Sequence, residues 1–300
     1  MRVAFSPIYR YPHLPEKHRF PMEKYDVLYE QLIYEGTITE ENVFSPDILS
    51  EETLLRTHSE EYWFKLKHGK LSRNEIRAMG FPYTPLLIER SLHIAGGTLQ
   101  CARYALQGEV ALNIAGGTHH AFRDRGEGFC LLNDFAITIN ELLYTGEIQQ
   151  ALIIDLDVHQ GNGTAAIFEG DPRVFTLSVH GAKNYPLRKT TSDWDIGVED
   201  GIEDQAYLSI VEQTLQEVFQ RVKPDLVCYL SGVDVIEGDK LGRLSLSIQG
   251  CRRRDELVFE FCKQHGIVPC VSMGGGYSKR LANIIEAHAN TYRVARQVFG

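Results

Sequence analysis

The segment AGGTHHAF sets His119 and His120 side by side behind two glycines. Imidazole exchanges protons near neutral pH, so an adjacent pair can take a proton at one step and return one at another. The apolar run VALNIAGG before them reads as a buried strand, which places both histidines just past its carboxyl end. Open α/β sheets keep their active sites at that edge. A second segment, IIDLDVHQGNG, spaces Asp157 and His159 two residues apart. On an extended strand end such residues point the same way and can approach one ion together. Asp155 lies on that side as well, and two carboxylates ending a run of Ile and Leu are costly without a cation or several donors. Asp234, in LSGVDVIEGD, is the candidate third ligand from another strand. Two carboxylates and one imidazole leave a coordination position open, which suits a catalytic rather than a structural metal.

With a metal at Asp157, His159 and Asp234 to polarise a carbonyl and a water, the adjacent histidines have the proton transfers to divide. Each imidazole needs a partner on its far nitrogen to set its tautomer, and Asp155 and Asn162 are the polar residues nearby. Tyr277 follows the glycine run GGG and can donate its hydroxyl to a developing oxyanion opposite the metal.

Residues so far apart in the chain converge only if parallel strands bring their ends to one edge. Six apolar runs read as those strands, at 3–5, 110–115, 151–158, 173–179, 225–230 and 267–273. Several lack alternation, as strands covered on both faces do. Leu208, Val211, Leu215, Val218 and Val222 recur at helical spacing and predict an amphipathic helix over 204–222. Tyr25, Leu28, Leu32 and Ile33 mark another, and Leu281, Ile284, Ile285 and His288 a third, with His288 a helix-face residue without chemistry. No linker or repeat interrupts this alternation, and 43% hydrophobic residues can fill a substantial core. The expected fold is one α/β domain over residues 1–300, with an open, mostly parallel sheet and helices on both faces.

A formal net charge of −9 argues against nucleic-acid binding, which rests on a basic face. The one basic cluster, CRRRDE at 251–256, reads as the solvated start of a helix. Six cysteines without a CxxC pair read as reduced core residues of a cytoplasmic protein. No stretch has the length of a membrane span or the pattern of a signal peptide.

Taken in order and spacing, GGTHHAF, GEGFCLLND, DLDVHQGNGT, SGVDV and GGGY resemble the motifs of the zinc-dependent histone deacetylases of the arginase/deacetylase superfamily. The likeness covers nearly the whole chain. GVDVIEGDKLGRLSLS, RRRDELVF and GGGYSKR look most like the class IV branch. The resemblance implies hydrolysis of N-ε-acyl-lysine amides in proteins or peptides, with class IV suggesting long fatty acyl groups as well as or instead of acetyl. It implies Zn2+, with Fe2+ as the alternative, at Asp157, His159 and Asp234, and Tyr277 as oxyanion donor. His119 and His120 become the proton-transfer pair, with Asp155 behind the first and Asn162 behind the second. Gly128, Phe129, Tyr185 and Gly275 would line the substrate site. A structural K+ or Na+ would lie near Asp155, Asp157, His159, Ser178 and Val179. Asn162 stands where some branches have aspartate; a neutral amide favours an imidazolium less, which makes His120 the general base. His13, His18 and residues 68–85 would shape the mouth.

Other readings remain open at this level. An arginase-like binuclear hydrolase would need a carboxylate two residues after Asp234, where this chain has Ile236. A deacetylase of acylated small amines such as acetylpolyamines would use the same catalytic set, and the acidic charge suits a cationic substrate. An idle acyl-lysine binding module would have lost a proton-transfer histidine or the tyrosine, and all three are present.

Overall fold

Apolar runs without alternation must be covered on both faces, and in the computed structural model, which describes all 300 residues, they are. The strands are β1 (Arg2–Ala4), β2 (Val43–Phe44), β3 (Ala111–Asn113), β4 (Ala151–Asp155), β5 (Val174–Gly181), β6 (Trp194–Val198), β7 (Leu226–Leu230) and β8 (Cys270–Ser272). They form one sheet in the order β2-β1-β3-β8-β7-β4-β5-β6. Every pairing is parallel, so the sheet is wholly rather than mostly parallel. All six predicted runs carry a strand, but β3 and β8 keep only three residues of theirs. The two strands missed, β2 and β6, are the sheet edges; β2 has two residues and β6 alternates between half-buried and exposed positions.

The helices are α1 (Lys24–Tyr34), α2 (Glu51–Leu55), α3 (Glu60–Lys67), α4 (Arg73–Met79), α5 (Pro85–Leu106), α6 (Asp134–Thr145), α7 (Asn162–Phe168), α8 (Asp204–Arg221), α9 (Ile248–Gln264) and α10 (Leu281–Phe299). The three predicted amphipathic helices are α1, α8 and α10. The Tyr229 hydroxyl on β7 reaches Asp255 of α9, while the Cys270 thiol on β8 points to the Thr98 carbonyl of α5. Tyr229 is in register with Val271, the neighbour of Cys270, so α9 and α5 cover opposite faces. All six cysteines are free and buried. No helix is long and apolar enough to cross a membrane.

The basic cluster at 251–256 is a correction. It lies inside α9, and Arg254 and Asp255 are fully buried. The guanidinium of Arg254 donates to the carbonyls of Leu156 at 3.1 Å, Gly232 at 2.6 Å and Ser231 at 3.3 Å, and pairs with Asp255 at 2.8 Å. Those carbonyls lie just past β4 and β7, where the chain leaves the ladder and its acceptors need new donors. Arg252 and Arg253 stay on the surface, paired with Glu256 and Glu260.

Arg254→Met should therefore cost about 3–5 kcal/mol, because it strands a buried carboxylate and three carbonyls. Urea unfolding measures this, and a loss under about 1 kcal/mol would show that the tie is not structural.

Candidate active site

The four adjacent strands β3, β8, β7 and β4 deliver the candidate residues, each at its carboxyl end. After β3 come His119 and His120, after β4 Asp157 and His159, after β7 Asp234, and after β8 Tyr277.

Asp157, His159 and Asp234 are buried, with one ligand atom from each within 4.8 Å of the others. Nδ1 of His159 stands 3.0 Å from Asp157 Oδ1 and 3.1 Å from Asp234 Oδ2. Backbone N–H groups hold these carboxylates in place. His159 donates to Asp157 Oδ1, Gly275 to Asp157 Oδ2, and Val158 to Asp234 Oδ1. Asp234 Oδ2 is buried and accepts no well-aligned hydrogen bond, its one polar neighbour being the His159 imidazole. Burial, and then the charge of Asp157, push the Asp234 carboxyl up to about 7. An orphaned carboxylate oxygen beside a second carboxylate and an imidazole is a donor set that fits a divalent transition metal. The cradle admits no side chain beside it: a β-carbon at Gly275 would strike the Asp234 carboxylate, and one at Gly232 that of Asp157.

The two histidines have different surroundings. His119 Nδ1 meets Asp155 Oδ2 at 2.7 Å, and His120 Nδ1 meets Asn162 Oδ1 at 2.6 Å, with the rings 4.1 Å apart. Burial alone lowers the His119 pKa, but the carboxylates of Asp155 and Asp157 outweigh it and leave His119 raised. Burial, then the charges of His119 and His159, hold His120 well below the ordinary histidine value. His120 is thus the neutral member, with Nδ1–H donated to Asn162 and the Nε2 lone pair available. One proton acceptor and one proton carrier stand side by side.

Tyr277 is 7% exposed, and its ring lies 6.5 Å from that of His159. Two groups that the motifs did not single out hold its turn. The Tyr277 N–H donates to Asp239 Oδ2 at 2.6 Å, while Asp239 Oδ1 accepts from Leu241 and Gly242. Lys24 is fully buried, and its Nζ donates to the Gly274 carbonyl at 3.1 Å. Asp239 sits in the quoted run VIEGDK without a role read from it, and nothing in the sequence marks Lys24. His288 lies on the buried face of α10 with Ile284 and Ile285, beneath the turn, where a β-carbon at Gly276 would come 3.2 Å from its Nε2.

A cavity of about 310 Å³ leads to these groups, lined by Gly128, Phe129, Tyr185, Leu241, Gly275 and Tyr277 among others. Gly128 lies at φ +55°, and a β-carbon there would come 2.6 Å from the His120 ring. Phe129 takes φ 69°, uncommon for a bulky residue, and its ring is packed by His18, Phe20 and Phe81. Tyr185 stands 4.9 Å from the His120 ring and donates its hydroxyl to Glu127. His18 bonds the Gly80 carbonyl and so ties the N-terminal loop to residues 68–85, whereas His13 is exposed beside Tyr11. Ser178 is in register with Asp155 on the adjoining strand, followed by Val179, and its Oγ meets His180 Nδ1 at 2.9 Å.

The model of the histone deacetylase domain matches residues 18–292. The chain belongs to the histone deacetylase family. Histone deacetylase 2 of Arabidopsis thaliana is 32% identical over 277 residues, 89% of this chain and 72% of that one. An uncharacterized protein of Picosynechococcus is 41% identical over 297 residues, 99% of each chain. The crystal structure of a histone deacetylase homolog from Aquifex aeolicus shares the fold with a TM-score of 0.84 at 24% identity, covering 98% of this chain and 83% of that one. This histone deacetylase-family chain carries the fold over 98% of its length.

Titration with Zn2+ or Fe2+ should find one tight divalent site per chain, and Asp234→Ala should weaken it by about 100-fold or more. Wild-type affinity in that variant, measured by competition with a chelator, would remove Asp234 from the site. Two tight sites in the wild type would favour a binuclear centre.

Proposed function

We propose that this deacetylase-family protein hydrolyses the amide bond of N-ε-acyl-lysine. The observation that carries the reading is the division of the buried histidine pair into a neutral and a carboxylate-backed member beside the Asp157, His159 and Asp234 cluster. A divalent metal there, zinc with iron(II) as the alternative, supplies Lewis-acid polarisation of the scissile carbonyl and of the attacking water. His120 accepts the water proton at Nε2, its tautomer held by Asn162. His119, kept protonated by Asp155, delivers a proton to the departing lysine amine. The Tyr277 hydroxyl donates to the oxygen that gains charge as the carbonyl carbon becomes tetrahedral. Gly128, Phe129 and Tyr185 form the channel that takes the aliphatic stem of the lysine and keeps bulk water from the reacting atoms. The same reading places a structural monovalent cation beside Asp155 and Ser178, with Asp157, His159 and Val179 completing its surroundings.

Tyr277→Phe should lower kcat by about 100-fold with metal content intact, since one preorganised oxyanion donor is worth a few kcal/mol. His120→Ala should be at least as damaging. Metal-loaded protein assayed on acyl-lysine peptides and on acylpolyamines tests both the substrate class and the roles. Wild-type turnover of an acyl-lysine peptide by either variant would overturn the mechanism, and turnover of acylpolyamines alone would move the substrate to small amines.

A further inference from the structure

The cavity does not stop at the histidine pair. Its lining also takes in Gly116, Thr118, Tyr25, Arg90, Ile94 and Cys130, and the burial of Tyr25, Arg90, Ile94 and Cys130 marks its inner end. Arg90, on α5, is 5% exposed and lines this inner end. Its Nε donates to the Tyr9 carbonyl at 2.6 Å, and its guanidinium lies 5.3 Å from the Tyr25 ring centroid. Its terminal nitrogens meet no carboxylate. The one acid lining the adjoining void, Asp134, is already engaged by the hydroxyls of Thr98, Ser272 and Thr118 and the N–H groups of Gly117 and Thr118. Lys24 adds a second buried cation, its Nζ on the Gly274 carbonyl among the rings of Phe20, Tyr25 and Tyr277. A guanidinium is permanently charged, and burying one without an anion is costly. A chamber that ends on such a group is complementary to a carboxylate.

We propose that Arg90 receives the terminal carboxylate of a short dicarboxylic acyl group, succinyl or glutaryl, carried on the substrate amine. This rests on the acyl-amide hydrolysis proposed above and names its acyl class. Part of the 310 Å³ must hold the lysine stem, so the tail is short. An alkyl tail would cover the guanidinium while offering it no acceptor, whereas a carboxylate matches its paired N–H groups. Arg19 lines the same cavity but is exposed, at the mouth rather than the buried end.

The test compares one peptide bearing succinyl-lysine with the same peptide bearing its neutral isostere, succinamoyl-lysine. Wild-type kcat/KM should favour succinyl by about tenfold or more, and Arg90→Gln, whose amide can still donate to the Tyr9 carbonyl, should bring the ratio close to one. The ratio is internal to each protein, so general damage cancels, and the wild-type ratio decides alone if the variant does not fold. A wild-type ratio of one or below, or an unchanged ratio in Arg90→Gln, overturns the proposal. Calorimetric binding of free glutarate against its monoamide gives a readout without turnover. Arg90-dependent binding of glutarate supports the acyl-tail site even if no peptide is hydrolysed, an outcome that would sink only the hydrolysis reading. Arg90-dependent binding of acetate but not glutarate would make the chamber a product site and overturn the proposal.

Discussion

Three carboxylates, those of Asp155, Asp157 and Asp234, are buried together at the carboxyl edge of an apolar sheet, and much of the molecule is arranged around that charge. Negative groups this close and this dry must be offset by donors, by imidazoles and by a cation. The backbone supplies N–H groups from Asp157, Val158, His159 and Gly275, all at the point where strands end and their amides are released from the ladder. Glycine at 232 and 275 follows from the same crowding, since those carboxylates occupy the space a β-carbon would take. What the protein leaves unmet is one oxygen of Asp234, facing the imidazole of His159.

That negative cluster also separates the paired histidines. Both are buried, and burial alone would make both neutral. Asp155 reverses the outcome for His119, whereas the amide of Asn162 fixes the tautomer of His120 without lending it a charge. Two identical side chains in adjacent positions thus acquire opposite proton affinities from one carboxylate and one amide placed behind them. The difference between the two imidazoles is set by these partners.

Rigidity comes from groups away from the reacting atoms. Arg254 binds the carbonyls after β4 and β7 from the α9 side, and Asp239 and Lys24 hold the turn that carries Tyr277. On the cavity side, the Phe129 ring is enclosed by His18, Phe20 and Phe81, which fixes one of its walls. Each of these ties joins segments distant in the chain, so the site has the precision of the packed core rather than of a loop.

How much of this was legible in the sequence depended on whether a residue's role was local. Strand-end motifs declare themselves, because a run of apolar residues that stops at Asp-x-His, His-His or Gly-Gly-Gly-Tyr places its chemistry by short-range geometry. The parallel α/β fold and the convergence of Asp157, His159, Asp234, the histidine pair and Tyr277 at one sheet edge were accessible on that ground. The edge strands β2 and β6 were not, because half-exposed strands lack the apolar signal and exist through pairing with a neighbour. Arg254 read as part of a solvated helix start, and no local pattern marked Lys24 or Arg90. Only the tertiary structure buries them, because the worth of a buried charge depends on carbonyls, rings and cavities contributed by segments that no local pattern can name.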